Sequence, residues 1–596
     1  MPLYILPVSS NEAIAAHLSH LGDLLELTGA NVFRVNAMRR ASRSAEGASV
    51  DLARLAESEP KALSSVDGIG EGIAARIVEL VTTGKCSEEA KLAAQVPAGL
   101  PALLQLPGLG PKKVRRLWQE AGVQDIASLA TRLDDGTVAG MTGFGAKSVA
   151  NLKDSIAFQA RGIGRFRLDV GWREAHRLLR LLDDQGENPS VLRTAFAGSL
   201  RRSRDSIGDV DLLVASDEGL PLMDRFCAAP DVERILARGD TKASIRLHSG
   251  LQVDLRVLPL AQFGAALLYF TGSKEHNVAL RGRAQDRGLT LNEYGLFPDD
   301  GEAAPHTRGV KAIAAATEEE IYAALETPFL PPELREVYGD DPLAAPPAGL
   351  LELSHIVCEL HSHTTASDGA MSIEELAHAA KARGFHTIAV TDHSKSSAIA
   401  NGLSEERLRA HIDAIHAARA RVPGIQILAG SEVDILADGS LDYSDDLLNA
   451  LDIVVASPHT SLKQDAGTAT RRLLRAIEHP AVDIIGHPTG RVILERPGLE
   501  PDIEALAKAA AARGVALEIN AHPSRLDLRD AHVRMALAQG AMIAIDCDVH
   551  HEDDFDNLRF GVGTGRRGGL TKDRCVNAMG ADALQGWLDR DRTHAS

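Results

Sequence analysis

The sequence predicts a multidomain chain: a helical N-terminal part, an α+β centre and a C-terminal α/β part built like a barrel. Three observations predict it. Residues from about 10 to 160 read as helices joined by short Gly-rich turns, and from about 165 short apolar β-type runs appear, FAGSL, VDLLVA and LQVDLRVL. Beyond a Pro-rich stretch (Pro328, Pro331, Pro332, Pro342, Pro346, Pro347), strands and helices alternate: HTIAVTDH, GIQILAGSEVDI, LDIVVASPHT, AVDIIGHP, GVALEIN and AMIAIDCDVH. Short apolar runs separated by helices form βαβ units and a parallel sheet, with polar residues clustered just past the strands, where a (β/α) barrel builds its site.

A length of 596 residues predicts roughly four domains. The chain is 44% hydrophobic and 24% charged, without a long uncharged apolar run, so no membrane span is expected. The start, MPLYILPVSS, lacks the basic segment and apolar core of a signal peptide. Five scattered cysteines without a CxxC pair fit small core residues in a reducing cytoplasm. A net charge of −18 argues against a generic nucleic-acid sponge, yet backbone amides and local Lys/Arg clusters can hold phosphates in an acidic protein. At 4% aromatics, stacking of bases on aromatic platforms is not the expected mode of binding. No sustained heptad or exposed apolar helix demands an oligomer, so a monomer is expected.

Three turns share one form: DGIGEGIA at 67–74, PGLGPKKV at 107–114 and TGFGAKSV at 142–149. Each sets Gly-x-Gly between two helical stretches. Glycine permits the tight turn, and the amides at the start of the second helix can face a phosphate. One such turn is as well explained by an ordinary αα-turn; three in one helical region point to phosphate binding. They resemble helix-hairpin-helix motifs, which hold the DNA backbone without reading sequence. On that resemblance Gly68, Gly70, Gly108, Gly110, Gly143 and Gly145 contact DNA, aided by Lys112 and Lys113, with Lys147 strengthening the third copy.

In Asp209-Val-Asp211 two carboxylates lie two residues apart on a strand and project from one face. Many D-x-D matches are solvated strand ends. Here a GS-x-RR turn precedes the pair, and a third acid, Asp254, sits in the apolar strand LQVDLRV. A buried strand gains nothing from adjacent like charges unless cations neutralise them, so the three acids suit a two-metal site.

The segments GSLRR…GDVD, GDTK at 239–242, VDLR and YFTGS at 269–273, in that order, resemble the X-family DNA polymerases across about residues 10 to 330. The resemblance implies a nucleotidyltransferase palm with a thumb that fills short gaps in DNA repair. By it Asp209, Asp211 and Asp254 are catalytic and hold Mg²⁺, with Mn²⁺ as an alternative. Ser199, Arg202 and Gly208 hold the phosphates of the incoming dNTP, Tyr269, Phe270 and Gly272 contact the sugar, and Asn277 contacts the base. Arg281 belongs to the same template-facing helix. Gapped or nicked DNA is the implied partner. Ile207 stands where some members have a serine before the glycine. In polymerase beta a lysine forms the Schiff base that removes deoxyribose phosphate; Arg76 occupies that place here and Gly72 replaces a neighbouring lysine. A guanidinium is not deprotonated in proteins, so no lysine-based lyase is expected.

The C-terminal half carries nine ligand-type residues after apolar runs: His361 and His363, Asp368, His393, Glu432, His459, His487, Asp548 and His550. A lone histidine is usually a hydrogen-bonded or surface residue; nine at strand ends are not explained that way. His-x-His and Asp-x-His on a strand each send both side chains to one side, so each pair can share a metal. Carboxylates mixed with imidazoles suit Mn²⁺, Zn²⁺ or Fe²⁺. Their order resembles the PHP (polymerase and histidinol phosphatase) domain across about residues 351 to 590. That implies a distorted seven-stranded (β/α) barrel with a trinuclear Mn²⁺ or Zn²⁺ centre and, fused to a polymerase, 3′→5′ exonuclease or 3′-end-processing activity extending to abasic-site incision. Glu359 replaces the usual Asp and His522 the usual Asn; Arg491 and Arg525 are phosphate-binding candidates.

The two resemblances together describe a bacterial- or archaeal-type family X polymerase with a C-terminal PHP domain. The implied boundaries are 1–95 for a helical domain of the 8-kDa type, 96–165 for hairpin fingers, 166–265 for the palm, 266–335 for the thumb, 336–350 for a linker and 351–596 for the PHP domain. Two other readings are weighed against this one: a small-molecule phosphoesterase with a retired palm, which leaves three buried acids without a purpose, and a non-enzymatic scaffold for DNA ends, which makes both metal constellations accidental.

Overall fold

The computed structural model describes residues 11–46, 52–66, 68–106, 109–146, 148–150, 152–153, 156, 164–302, 305–336 and 341–590. Gly108 and Lys147, expected at the hairpins, lie outside the described residues. The chain divides into two compact units, Met1–Ile163 and Gly164–Ser596.

The described residues of the first unit form helices joined by turns, with no strand among them. Two apolar clusters hold it: one joins Ile14, Leu18, Met38, Leu52 and Ile77, the other Leu24, Leu100, Val114, Leu117, Leu129 and Phe144. Among the described residues, the first and third Gly-rich turns have the backbone their spacing predicts. Gly68 and Gly143 take the left-handed conformation at φ 79 and 88, which a side chain adopts only at a cost. Gly70 and Gly110 are the N-caps of helices Glu71–Thr83 and Pro111–Ala121, and Pro111 opens the second helix with its preset φ.

In the second unit a five-stranded sheet is made of β1 (Arg193–Phe196), β2 (Asp209–Ala215), β3 (Val232–Arg238), β4 (Lys242–Leu247) and β5 (Gln252–Leu258), in the order β1-β2-β5-β4-β3. β2 and β5 run parallel; the other pairs are antiparallel. Val210, Leu212, Val214, Val253, Leu255 and Val257 alternate onto one face and bury against Leu168, Ala175, Leu178 and Leu182 of helix Leu168–Leu182. The acids of β2 and β5 alternate onto the other face. A small helical subdomain with a hairpin (Leu289–Asn292 paired with Gly295–Pro298) follows, packed on Leu268, Leu280, Leu296 and Ile321.

The C-terminal part is a barrel of seven parallel strands in sequential order: β6 (Cys358–Glu359), β7 (Thr387–Val390), β8 (Gln426–Asp434), β9 (Ile453–Ser457), β10 (Ile484–Ile485), β11 (Ala516–Asn520) and β12 (Met542–Asp546). β6 and β12 do not pair as strands. The seam is closed just beyond them, where Val549 donates to the His361 carbonyl at 3.1 Å and His363 to the Val549 carbonyl at 2.8 Å. Alternate residues point inward, among them Ala389, Leu428, Val455, Ile484, Ala516 and Ala544, and Leu584 and Leu588 of a C-terminal helix plug one end. Their neighbours Ile388, Ile427, Val454, Leu517 and Ile545 point outward onto the helices.

The palm core does not end at the palm. Ile493, Leu526 and Phe560 of the barrel belong to the same buried cluster as Val210 and Leu255. Helix Leu558–Arg567 lies against the barrel through glycine: a Cβ at Gly561 would come within 2.6 Å of the Ala521 Cβ and 2.7 Å of Ile545 Cγ2. Four of the five cysteines are buried and all are free thiols. Among the described residues, no helix is long and apolar enough to cross a membrane. Overpacking a filled contact costs about 1–3 kcal/mol, so Gly561→Ala is expected to lower the midpoint of chemical denaturation followed by barrel tryptophan fluorescence, and an unchanged midpoint would show that the helix has slack there.

Candidate metal centres

The sheet register brings the three palm acids together. Asp211 sits directly beside Asp254 across the parallel β2–β5 pair, and Asp209 lies two residues before Asp211 on the same strand. Burial, together with the charges of Asp209 and Asp254, pushes the Asp211 carboxyl up to about 7. Burial and Asp254 raise Asp209 as well. Three like charges on one half-buried face repel unless cations lie among them, so the donor set fits divalent metal. Two residues that sequence reasoning passed over hold Asp254: the Ser244 hydroxyl donates to its Oδ1, and Gln252 Nε2 to its Oδ2 at 3.1 Å. Gly198 opens the turn that carries Ser199, with φ 64; a Cβ there would stand 2.6 Å from Asp211 Oδ2. Only glycine lets the turn approach that carboxylate.

Ser199 lies in helix Gly198–Arg201 and Gly208 is exposed immediately before Asp209. Ile207 faces away into the core, close against Gly171, so the residue that replaces serine is a packing residue here. Arg202 donates from Nε to Glu336 Oε1 at 2.9 Å and from Nη1 to the Thr271 carbonyl. Tyr269, Asn277 and Arg281 line one small pocket with Leu291 and Asn292. The Asn277 amide donates to the Tyr269 carbonyl at 2.7 Å, and the Arg256 guanidinium lies 4.0 Å over the Phe270 ring. Gly272 follows helix Phe263–Thr271 at φ 67.

At the hairpins, neither Gly70 nor Gly110 brings a side-chain cap to the helix it opens, and among the described residues a Cβ added at Gly70, Gly110 or Gly145 would meet no neighbour within 4 Å. The leading amides of such helices await an acceptor. Lys112 is exposed, whereas the Lys113 ammonium lies 5.6 Å from the Phe144 ring centroid of the third hairpin. Arg76 pairs with Glu88 and donates to the Gly72 carbonyl.

In the barrel, atoms of eight of the nine expected residues converge in three groups: His363, Asp368, His393 and His550; His361, His363 and Asp548; His393, Glu432 and His459. His487 stands beside them, with Nε2 at 2.9 Å from Glu432 Oε1. Three overlapping groups fit a trinuclear centre. One premise behind the expectation needs correction. His361 and His363 lie past the end of β6, not on it, and Asp548 has φ 56, so the two pairs are not extended-strand alternations. The bridge between Ser362 and Val549 holds both segments in place of strand pleating. His487, at φ 25, is likewise in a conformation that costs on the order of 1–3 kcal/mol.

The polar atoms themselves test the fit. His361 Nε2, both nitrogens of His363, His393 Nδ1, His487 Nδ1, Glu432 Oε2 and Asp548 Oδ1 are buried without a hydrogen-bond partner. His393 Nδ1 lies 2.9 Å from Glu432 Oε2 but lacks hydrogen-bond geometry. Orphaned buried donors and acceptors are rare, and lone pairs facing one another are what cations require. Burial works to raise the Glu432 carboxyl, yet His459, His393 and His361 hold it well below its usual range. Burial opposes charge on His361, but Asp548, Glu518 and Glu432 raise it well above.

Two acids behind the ligands were not legible as site residues. Glu518 accepts from His361 Nδ1 at 2.6 Å and from the His487 amide; Asp434 lies 2.7 Å from His459 Nδ1. Each fixes the ring so that Nε2 turns to the centre. Glu359, in place of the usual Asp, accepts from the Cys547 amide at 3.0 Å and helps close the seam. His522 bonds Ser524 at 2.7 Å. Arg491 is not available to a phosphate: it donates to the carbonyls of Arg525 and Leu526 at 2.7 and 2.6 Å and pairs with Asp205 of the palm at 3.0 Å. Among the described residues Arg525 makes no such pairing, and its charge acts on His487 beside the centre.

An acidic triad on a palm sheet and a barrel lined with histidines and carboxylates define a metal-dependent enzyme of phosphoryl chemistry. Family profiles agree: a helix-hairpin-helix domain matches residues 9–86, a SAM-like helix-hairpin-helix tandem 100–157, the DNA polymerase beta thumb 266–336 and the PHP domain 359–522. The DNA polymerase/3′-5′ exonuclease PolX of Bacillus subtilis (strain 168) is 37% identical over 569 residues, 95% of this chain and 97% of the relative. The chain therefore belongs to the PolX family of DNA polymerase/3′-5′ exonucleases. Over the PHP part, a probable phosphatase of Thermoanaerobacter sp. (strain X514) is 30% identical over 234 residues, 37% of this chain and 90% of that protein. A probable phosphatase of Shewanella sp. (strain MR-4) is 38% identical over 166 residues, 27% of this chain and 61% of that protein. Hairpin domains in a DNA polymerase family imply DNA binding, and both domains imply dependence on divalent metal.

Two substitutions probe these centres. Glu518→Gln is expected to weaken metal binding by about 10–100-fold, read by competition with a chelating dye; unchanged affinity would mean that His361 needs no bracing. Gly198→Ala is expected to lower nucleotide addition by about tenfold or more as Asp211 is displaced, measured by single-nucleotide extension.

Proposed function

We propose that the chain fills short gaps during DNA repair by adding nucleotides in the palm, and trims or cleans 3′ ends in the barrel. The observation that carries this reading is the register of β2 and β5, which sets Asp211 beside Asp254 on a face already bearing Asp209. A second, separate set of buried ligand atoms in the barrel supports a second activity.

In the palm, Asp209, Asp211 and Asp254 would hold Mg²⁺, with Mn²⁺ as a substitute. In the barrel, His361, His363, Asp368, His393, Glu432, His459, His487, Asp548 and His550 would hold Mn²⁺ or Zn²⁺. Bound there, the cations supply Lewis acidity and neutralise charge that develops on phosphate oxygens. The protein's own share is positioning. Ser199, Arg202 and the backbone at Gly208 grip the triphosphate of a dNTP, while Tyr269, Phe270 and Gly272 set the sugar. Asn277 exchanges its bond to the Tyr269 carbonyl for one to the base, with Arg281 beside it on the template side. Gly68, Gly70, Gly108, Gly110, Gly143, Gly145, Lys112 and Lys113 hold the DNA backbone. In the barrel Arg525 steadies the scissile phosphate. We read the protein as a monomer acting in the cytoplasm.

Asp209→Ala should abolish nucleotide addition on gapped DNA and spare 3′ trimming, and His361→Ala should do the reverse. Both are assayed on one labelled gapped substrate with Mg²⁺ or Mn²⁺; extension by Asp209→Ala at the wild-type rate would refute the palm assignment. Because Arg76 cannot form an imine, borohydride should trap no adduct with incised abasic DNA. The probable phosphatases favour a second reading of the barrel, removal of a terminal phosphate. Comparing 3′-phosphate with 3′-hydroxyl ends separates the two, since a phosphomonoesterase releases only inorganic phosphate.

A further inference from the structure

We propose that Glu336 is a positioning residue for Arg202, and that Arg567 of the barrel holds Glu336 in place, so that the barrel helps to shape the nucleotide site of the palm. The inference rests on the reading of Arg202 as a triphosphate ligand and deepens it.

Arg202 is fixed at two of its three guanidinium nitrogens. Nε donates to Glu336 Oε1 at 2.9 Å and Nη1 to the Thr271 carbonyl. Among the described residues, no hydrogen bond engages Nη2. Two anchors define the plane of a rigid fork and direct its remaining donors. Without them, a long side chain would have to be ordered by the nucleotide itself, at the expense of affinity.

Glu336 does not cancel the local positive charge. Arg204 Nη1 lies 3.8 Å and Arg567 Nη1 3.7 Å from the same Oε1 that accepts from Arg202. Even with Asp530 paired to Arg567, three guanidiniums face two carboxylates, so a positive charge is left for a polyphosphate and Glu336 orients Arg202 without neutralising the site.

Arg567 ties this arrangement to the barrel. It is 3% exposed, donates from Nη1 to the Arg202 carbonyl at 2.8 Å, and is itself braced by Asp530 at 2.5 Å. The backbone turns left-handed at Ser203, φ 52, directly under helix Leu558–Arg567, where a Cβ on Gly563 would stand 2.8 Å from the Ser203 hydroxyl. Two residues on, Asp205 pairs with Arg491 at 3.0 Å. The loop between the Gly-Ser turn and Asp209 is thus gripped by barrel residues on both sides of Ser203, while none of them belongs to the palm's own metal or nucleotide set.

The test is steady-state insertion of one nucleotide into gapped DNA by the full-length protein, with dNTP concentration varied. Glu336→Gln is expected to raise KM for dNTP about tenfold and leave kcat within twofold, because the catalytic acids are untouched. Arg567→Gln should raise KM in the same direction, and the double variant should be no worse than Glu336→Gln alone, since both act through Arg202. An unchanged KM in Glu336→Gln overturns the proposal; so does a lowered KM, which would make Glu336 a competitor of the triphosphate. A joint loss of kcat and melting temperature also overturns it, as the effect would then be general unfolding. If Glu336→Gln does not fold, Arg567→Gln decides by the same change in KM. Arg202→Ala separates the layers: if it leaves KM unchanged, the reading of Arg202 itself fails, whereas a raised KM there with an unaffected Glu336→Gln removes only the positioning role.

Discussion

Charge crowded against apolar cores governs this molecule. In the palm, Asp209, Asp211 and Asp254 share a face of a sheet whose other face is Val and Leu. In the barrel, imidazoles and carboxylates stand above an inner layer of Ala, Leu, Ile and Val. Such groups are costly to bury alone and cheap to bury around divalent cations. The rest of the architecture serves that requirement: an unbroken register between β2 and β5, a closed seam, and second carboxylates behind the histidines.

The two centres solve the same electrostatic problem by different backbone means. The palm uses pleat and register, because a two-residue spacing and a parallel neighbour suffice to align three short side chains. The barrel gathers eight of its candidate residues from segments past five strands and the ninth, Glu432, from β8 itself, and such segments lack a fixed period. Rigidity there comes from side chains: Glu518 against His361, Asp434 against His459, and the amide of Cys547 on Glu359. The left-handed backbone at His487 and Asp548 is tolerated because these bonds overdetermine the site.

Legibility followed the same division. Gly-x-Gly turns, the D-x-D strand and the alternation of apolar runs with helices are local patterns, and among the described residues the structure shows them as local geometry. The nine candidate residues of the barrel were readable because histidine and acid recur after apolar strands. Glu518 and Asp434 were not, since an acid on a strand looks the same whether it braces an imidazole or caps a loop. Arg491 misled for a related reason: an arginine near a metal site attracts a phosphate role, but its partner Asp205 lies far away in sequence and only folding brings them together. Arg202 and Glu336, 134 positions apart, belong to the same class of long-range pairing.

The apolar cluster that runs from Val210 and Leu255 into Ile493, Leu526 and Phe560 has a consequence for how such a gene can change. A frame cut at the proline-rich stretch would leave the palm with an oily scar where the barrel had been, and the barrel with its mirror image. Each orphan would tend to clump. Inheritance of the two catalytic halves as one uninterrupted message is therefore favoured by solubility as well as by chemistry.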